Sequence, residues 1–184
     1  GETEDDGRPL SLAFLANQVV AAARDAGPEP LHLVGFSLGA AVAAHIAAEH
    51  PGLVRSPVLI SGFASSDDAR LKLQFETWRD LIVSDRRTLA RLILLTGFTP
   101  QFVSALGADG VADAIETTLC TTDWDGLARQ VDLDLRIDIT DLLAPIEAPT
   151  MCIGGTFDHM VAPEHARQMQ ARIPNAEYVE LPAG

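Results

Sequence analysis

The sequence predicts an α/β fold, a parallel sheet flanked by helices, with a block of helices inserted between two of its strands. Short apolar runs of the length of buried strands occur at 31–36, 57–61, 150–154 and 176–181. Helical segments alternate with these runs, which is the pattern of a parallel sheet. Between the second and third runs, residues 64–143 carry helical periodicity only, whereas a simple crossover needs one helix.

Composition and charge predict a folded, acidic protein. Hydrophobic residues make up 47% of the 184 residues, so a core can form. The net charge of −13 and pI near 4.6 argue against nucleic acid or an anionic membrane as partner. No apolar run approaches the roughly 20 residues of a membrane span, and the acidic start GETEDDGRP predicts no signal peptide. We therefore expect a soluble, cytoplasmic protein.

The sequence predicts neither a metal site nor a cofactor. Cys120 and Cys152 lie far apart without metal-ligand spacing, and Cys152 falls in an apolar run, where cysteine is usually a small buried hydrophobe. The glycine-rich segment at 35–39 lacks the Gly-Lys-Ser/Thr ending of a phosphate loop. The expected partner is a small-molecule substrate, and the sequence leaves the oligomeric state open.

The first part of the chain, residues 1–63, is predicted to be core. Its elements, in order, are a helix at Pro9–Ala26, a strand at Leu31–Phe36, a helix at Leu38–Glu49 and a strand at Pro57–Ser61. Gly27-Pro28 and Pro51-Gly52 end the two helices. The second helix is apolar on nearly every face, which is expected of a helix packed between a sheet and another layer.

The middle part, residues 64–144, is predicted to be a helical cap. Its candidate helices are Asp67–Ser84, Arg86–Thr96, Pro100–Leu106, Gly110–Leu119 and Trp124–Val131. The alternative is that these helices merely cover the sheet and that their aromatic residues are ordinary core. The length of the insertion favours the cap.

The last part, residues 145–184, is predicted to return to the core. It contains a strand at Thr150–Gly154, a helix at Pro163–Ile173 and a strand at Ala176–Leu181. Combined with the first part, this order predicts a parallel sheet with helices on both of its faces.

The segment Gly35-Phe36-Ser37-Leu38-Gly39 lies between a predicted strand and a predicted helix, which is the context of a nucleophile elbow. Such a turn strains the serine backbone and lifts its hydroxyl to the carboxyl edge of the sheet. We expect a side chain at either glycine to collide with the neighbouring strand or helix. Ser37 is the predicted nucleophile, and the N–H of Leu38, at the helix N-terminus, is a predicted oxyanion donor.

Asp158 ends the turn after the third strand, at the edge where parallel sheets place functional side chains. Its alternative role is to cap the helix that begins at Pro163. Four further side chains are predicted near the same edge, where they would line an apolar substrate pocket together with cap aromatics such as Trp78 or Trp124. They are Phe36, Phe63, Met160 and Val161. Plain core packing is the alternative for each of them.

Three segments resemble the α/β-hydrolase superfamily, in the capped branch that includes small esterases, lactonases, C–C bond hydrolases and perhydrolases. They are HLVGFSLGAAVA, APTMCIGGTFDHMVAP and IPNAEYVELPAG. The resemblance implies that Ser37 is the nucleophile and Asp158 the acid of a Ser-His-Asp triad. It also implies a histidine after the last strand, and several strands with a second oxyanion donor ahead of the first helix.

The predicted base is missing from the sequence as given. The chain ends at Leu181-Pro182-Ala183-Gly184, where the histidine of the family would follow, and none of the five histidines present suits the role. His165, which opens the helix after the predicted acid, is the least unsuitable. We therefore expect a fragment of a longer polypeptide that supplies the base and the first strands, and we expect the fragment alone to be inactive.

The functional hypothesis is a serine hydrolase that acts on a small ester, thioester or lactone with an apolar portion. One alternative keeps the fold for lyase, acyl-transfer or perhydrolase chemistry, because fold does not determine reaction. Another is a non-catalytic, ligand-binding member, since a triad without its base loses orders of magnitude in rate.

Overall fold

The computed structural model describes residues 7–27 and 30–182. Four strands and eight helices are found in this part of the chain. In chain order they are α1 (Leu12–Ala26), β1 (Leu31–Phe36), α2 (Leu38–Glu49), β2 (Val54–Ile60), α3 (Ala69–Ser84), α4 (Arg86–Gly97), α5 (Pro100–Thr121), α6 (Trp124–Asp134), α7 (Thr140–Leu143), β3 (Thr150–Gly155), α8 (Pro163–Arg172) and β4 (Ala176–Leu181).

The four described strands form one parallel sheet in the order β1-β2-β3-β4. The predicted α/β class with a parallel sheet is therefore confirmed. Because all strands run in the same direction, the carboxyl ends of β1, β2 and β3 meet at one edge. This edge brings together the elbow at 35–39, the residues that follow β2, and the turn at 156–158.

The described helices cover one face of the sheet. Helix α2 packs on β1 and β2, α8 packs on β3 and β4, and α7 contacts both α2 and α8. On the opposite face, Val34, Phe36 and Met151 are 69%, 67% and 37% exposed. Helices on both faces were predicted from the order of strands and helices along the chain, whereas the described helices that pack on the sheet supply only one of those layers.

Helix α2 is the centre of the core. Its alanines at 40, 41, 44 and 47 are almost completely buried, and Ile46 and Leu59 of β2 are buried with them. Small side chains let the helix approach the strands closely, and the contacts of a packed interior resist displacement. The apolar composition of this helix thus reflects its burial. Burial of the helix in turn holds the N-terminus of α2 in place.

Several element bounds differ from those predicted. Helix α1 begins at Leu12 rather than Pro9, because Ser11 is the N-cap and its Oγ accepts a hydrogen bond from the N–H of Phe14 at 3.2 Å. The two helices predicted at 100–106 and 110–119 are joined in α5, with a break at Gly107, where φ is 66°. Strand β2 starts at Val54, before the apolar run that predicted it.

Helices α3 to α6 form an insertion whose two ends meet. The N–H of Ser66 donates to the carbonyl of Ile137 at 2.9 Å, and the N–H of Ile139 donates to the carbonyl of Ala64 at 2.7 Å. Within the insertion, α3 contacts α4 and α6, and α4 contacts α5. This is the predicted inserted helical cap. The division at 1–63, 64–144 and 145–184 stays a prediction, since α7 packs against core helices.

The surface of the cap carries scattered apolar side chains. Leu73, Val83 and Leu95 are exposed, and the rings of Phe98 and Phe102 stack at 5.0 Å between centroids. Single exposed apolar residues are normal on soluble domains. Across residues 7–27 and 30–182, no helix combines the length and the apolar character needed to cross a membrane.

Candidate active site

Ser37 occupies the strained turn between β1 and α2. Its φ of 53° and ψ of −121° lie outside the regions that non-glycine residues ordinarily adopt. Two backbone hydrogen bonds of 2.9 Å hold it there: its N–H donates to the carbonyl of Ile60, and its carbonyl accepts from the N–H of Ala40. Strain of this kind persists only where the surroundings enforce it, and it is concentrated at functional sites.

The two glycines of the elbow differ in their surroundings. A Cβ at Gly35 would lie 2.2 Å from the carbonyl oxygen of Gly39 and 2.7 Å from the Cα of Ala40, so only glycine fits there. A Cβ at Gly39 would meet no described atom within 4 Å. The predicted collision is therefore confirmed for Gly35 and wrong for Gly39, which faces the open cavity.

Leu38 places a backbone donor beside the serine. It is the first residue of α2, and the N–H groups of a first turn have no acceptor within their own helix. The helix dipole adds partial positive charge at this end, and the first turn of α2 contains no acidic residue to offset it. Leu38 lines the same cavity as Ser37, so this N–H is suited to an oxyanion that forms on the serine.

Asp158 holds the turn that follows β3. Its Oδ1 accepts hydrogen bonds from the N–H groups of Met160 and Val161, both at 2.9 Å, and its own N–H donates to the carbonyl of Gly155. The N-cap of α8 is Ala162, without a side-chain cap, so Asp158 caps the turn rather than the helix. These bonds occupy Oδ1 and leave Oδ2 for another partner; its role as triad acid stays a prediction.

A cavity of about 530 Å³ opens above the elbow, within the range of small-molecule sites. The predicted pocket residues Phe36, Met160 and Val161 line it, together with Ser37 and Leu38. Phe63 is fully buried, and its ring packs 5.7 Å from that of Phe75, which does line the cavity. Phe63 thus packs behind Phe75 and is not among the described residues that line the cavity.

The cap contacts the loop that carries the predicted acid. The Nη1 of Arg70, on α3, donates to the carbonyl of Met160 at 3.2 Å. The Met160 side chain packs against the end of α4, where a Cβ at Gly97 would lie 2.7 Å from its Cε. The position of the cap and the shape of this side of the cavity are therefore coupled.

Two polar groups in the cavity wall were not predicted as site residues. Asp134 of α6 is only 9% exposed, and its Oδ1 has no hydrogen-bond partner among the described residues. Burial raises the pKa of this carboxyl to about 7. The Nε1 of Trp78, on α3, is likewise buried without a partner in the described part of the chain. Both residues line the cavity.

A sequence signal for Asp134 exists. Leu127 and Val131 precede it by seven and three positions on α6, and all three line the cavity. An acidic residue on the apolar stripe of an amphipathic helix is unusual, because an unpaired carboxylate is costly to bury. The spacing of Asp134 from Leu127 and Val131 would have identified it as a residue on the apolar face of α6. Trp78 was named as a candidate pocket aromatic, but its indole N–H was not considered.

No histidine is among the described residues that line the cavity. His165 is buried in α8, with its Nε2 4.0 Å from Oδ1 of Asp68, and burial lowers its pKa. His32 is exposed and shares a hydrogen bond of 2.7 Å with Ser56. A base supplied from beyond Gly184 stays a prediction. The described residues also contain no group of three or more His, Cys, Asp or Glu that could bind a metal ion.

Comparison with known proteins identifies the family. Residues 1–184 match the model of the alpha/beta hydrolase family. The chain is 50% identical over 184 residues to the pyrrolizixenacetamide deacetylase of Xenorhabdus hominickii, covering 100% of this chain and 69% of that protein. It is 29% identical over 179 residues to the pimeloyl-[acyl-carrier protein] methyl ester esterase of Neisseria meningitidis, covering 95% of this chain and 67% of that protein.

A solved structure agrees with the sequence relatives. The enol-lactonase from Burkholderia xenovorans LB400 superposes with a TM-score of 0.85 at 21% identity, over 100% of this chain and 69% of that chain. At this identity the likeness concerns the fold alone. The present chain spans about two thirds of the length of each of these proteins. Its elbow, sheet and inserted cap agree with the sequence match, and the chain belongs to the alpha/beta hydrolase family of enzymes.

Proposed function

We propose that Ser37 is the nucleophile of a serine hydrolase that cleaves a small carboxylic ester or amide with an apolar portion. The observation that carries the proposal is the strained Ser37 at the N-terminus of α2, opening onto the 530 Å³ cavity. Most side chains that line this cavity are apolar, which suits a substrate that is largely apolar itself.

The reaction would proceed through an acyl-enzyme. Ser37 Oγ attacks the substrate carbonyl as a base takes its proton, and the N–H of Leu38 donates to the oxyanion of the tetrahedral intermediate. The intermediate collapses, and the alcohol or amine leaves with that proton. Water, activated by the same base, then attacks the acyl-enzyme and releases the carboxylic acid.

The base is proposed to be a histidine that follows β4 and is oriented by Asp158. One contact supports this placement: the N–H of Thr156, in the turn that ends at Asp158, donates to the carbonyl of Leu181 at 2.8 Å. The chain therefore leaves β4 beside this turn. A histidine soon after it would come within reach of the Asp158 oxygen that the turn does not use.

The proposed bond types differ from the esters, thioesters and lactones predicted from the sequence, because amides are added and thioesters and lactones are left out. The relative at 50% identity is named as a deacetylase of an acetamide, and the one at 29% as a methyl ester esterase. These names support hydrolysis of both amides and esters. A substrate with a small acyl group such as acetyl could contain either bond, as an acetate ester or as an acetamide.

The test compares two serines in the complete natural polypeptide. Ser37→Ala should lower hydrolysis of p-nitrophenyl acetate by about 1,000-fold or more and abolish labelling by a fluorophosphonate. Ser61→Ala is the matched control, because Ser61 also has a positive φ, 47°, and lies at the same edge. It should be labelled and active. Turnover and labelling that persist in Ser37→Ala would refute the proposal.

A further inference from the structure

The turn that carries Asp158 is tied to the end of β4 by one residue, Thr156. Its N–H donates to the carbonyl of Leu181 at 2.8 Å. Its hydroxyl donates to two acceptors, Oε1 of Glu180 at 2.9 Å and the carbonyl of Leu181 at 3.1 Å. Asp158 follows two residues later, and its own N–H donates to the carbonyl of Gly155 at 3.2 Å. A shift of this turn relative to β4 would therefore break the bonds that Thr156 makes.

The carboxylate of Glu180 is itself held by two further side chains. The hydroxyl of Tyr178, two residues earlier on β4, donates to Oε2 of Glu180 at 2.8 Å, and Nη2 of Arg167, on α8, donates to the same oxygen. Arg167 is fixed in turn, because its Nη1 donates to Oε1 of Glu164 at 2.8 Å and its guanidinium lies 5.1 Å from the centre of the Tyr178 ring. One carboxylate thus connects the acid turn, β4 and α8.

The protonation states of these groups suit the arrangement. Hydrogen bonds from Tyr178 and Thr156 lower the pKa of the Glu180 carboxyl, so this group is ionised and accepts at neutral pH. Burial and the hydrogen bond to Glu180 raise the pKa of Tyr178 to about 12, so its hydroxyl remains a donor. Hydrogen bonds to an ionised acceptor are stronger than those between neutral groups.

The position of the acid turn matters because Asp158 has to reach a base on the neighbouring segment. Its Oδ1 is used by the N–H groups of Met160 and Val161, and Oδ2 is left for the base. The proposed base follows β4, beyond the residues that Thr156 contacts. A misplacement on the order of 1 Å can cost a catalytic group about 100-fold in rate, so contacts that join these two segments control the reaction.

We propose that Thr156 and Glu180 are positioning residues that hold Asp158 at a fixed distance from the base that follows β4. This inference rests on the proposed function in one respect, that Asp158 orients a histidine base for Ser37. Neither Thr156 nor Glu180 is among the described residues that line the cavity, so their loss should lower kcat and leave KM nearly unchanged. It should also lower the pKa of the histidine, because a nearby carboxylate favours the imidazolium form.

The test removes one hydroxyl from the complete natural polypeptide. Thr156→Val keeps the branched shape of the side chain and the charge of Glu180, and deletes only the hydrogen bonds of Oγ1. We expect kcat for p-nitrophenyl acetate to fall about tenfold, with KM within about twofold of the parent. The acid limb of the pH profile of kcat/KM, which reports the base of the free enzyme, should move to lower pH. Labelling to completion with a fluorophosphonate counts the active sites, so unfolded protein does not enter kcat.

Three further variants show whether the hydroxyl acts through Glu180. Thr156→Ser keeps the Oγ and should retain kcat within about threefold of the parent. The double variant Thr156→Val/Glu180→Ala should lose less than the product of the two single losses, because both changes remove the same hydrogen bond. Glu177→Ala is the matched control, since this exposed acid lies on the same strand at a position that alternates to the other face. It should keep the parental kcat.

The outcomes separate this inference from the proposed function. The inference is overturned by a kcat of Thr156→Val within about twofold of the parent, by equal losses in Thr156→Ser and Thr156→Val, or by a lowered kcat with an unmoved acid limb. None of these results bears on whether Ser37 is the labelled residue. Conversely, turnover that survives Ser37→Ala overturns the proposed nucleophile, and that measurement involves no change at Thr156.

Discussion

The two sides of the cavity are built in different ways. The core side, formed by the β1–α2 elbow, offers backbone geometry: the positive φ of Ser37, the N–H of Leu38 and the close approach at Gly35. The cap side, formed by α3 and α6, offers side chains, above all Trp78 and Asp134. Backbone groups at the elbow can contact the reacting carbonyl of any substrate in the same way. Side chains of the cap wall contact the rest of the substrate, so they can favour one substrate over another.

This difference assigns the reaction and the selectivity to separate elements. The elbow depends on five contiguous residues between β1 and the buried helix α2, so its backbone geometry is determined by the fold. The cap wall depends on residues far apart in the sequence that line one cavity because α3 packs on α6. Relatives with different substrates on one fold are expected from such a division.

The largest effect is expected from a change at the elbow. Gly35→Ala places a Cβ 2.2 Å from the carbonyl oxygen of Gly39, and relief requires moving α2 away from β1. We expect a loss of about 3 kcal/mol in the free energy of unfolding and a loss of activity, measured by urea titration and turnover.

Gly39→Ala is the control for this substitution. It introduces the same methyl group where no described atom lies within 4 Å, so its stability should stay close to that of the parent. Equal destabilisation by the two variants would contradict the asymmetry of the elbow.

An intermediate effect is expected from the titration of Asp134. Its pKa is raised from 3.8 to about 7 in the folded protein, so the folded state binds the proton more tightly than the unfolded state. Stability should therefore fall as the pH rises from about 4 to about 7, by at most about 1.4 kcal/mol per pH unit. Asp134→Asn should flatten this slope in urea unfolding at several pH values.

Parallel pH profiles of the parent and Asp134→Asn would count against a buried, unpaired carboxyl. Asp132→Asn provides the comparison, because this exposed residue lies on the same helix and should leave the slope unchanged.

The smallest effect is expected where the two sides touch. Gly97→Ala brings a Cβ within 2.7 Å of the Met160 Cε, and the flexible end of the methionine can move away. We expect less than about 1 kcal/mol of destabilisation and a change in KM with little change in kcat, since Met160 lines the cavity. A lowered kcat at constant KM would instead indicate that the cap contact affects the reacting groups.

The parts of the site that sequence could predict are those determined locally. The bounds of β1, α2 and β4 agree with the apolar runs and their glycine and proline stops, and the elbow was identified from one pentapeptide placed between a predicted strand and a predicted helix. The start of α1 was misplaced because Ser11 is a stronger N-terminal signal than Pro9. Four-residue α7 has too few positions to show a period.

What sequence could not predict depends on packing between distant elements. How α6 packs on α3 decides whether Asp134 faces solvent or a cavity. The open space beside Gly39 likewise depends on where the cap ends. The exposed face of β1 is a similar case, because strand composition indicates that a face is apolar and does not indicate what lies on it.

The division between reaction and selectivity is tested most directly by the rate at which a small neutral fluorophosphonate labels Ser37 in the double variant Trp78→Phe/Asp134→Leu. The account predicts labelling within about threefold of the parental rate, because the elbow is unchanged, together with a changed KM for p-nitrophenyl acetate, because both side chains line the cavity. Labelling slowed by more than about tenfold would show that the cap wall takes part in the reaction itself, and would contradict the account.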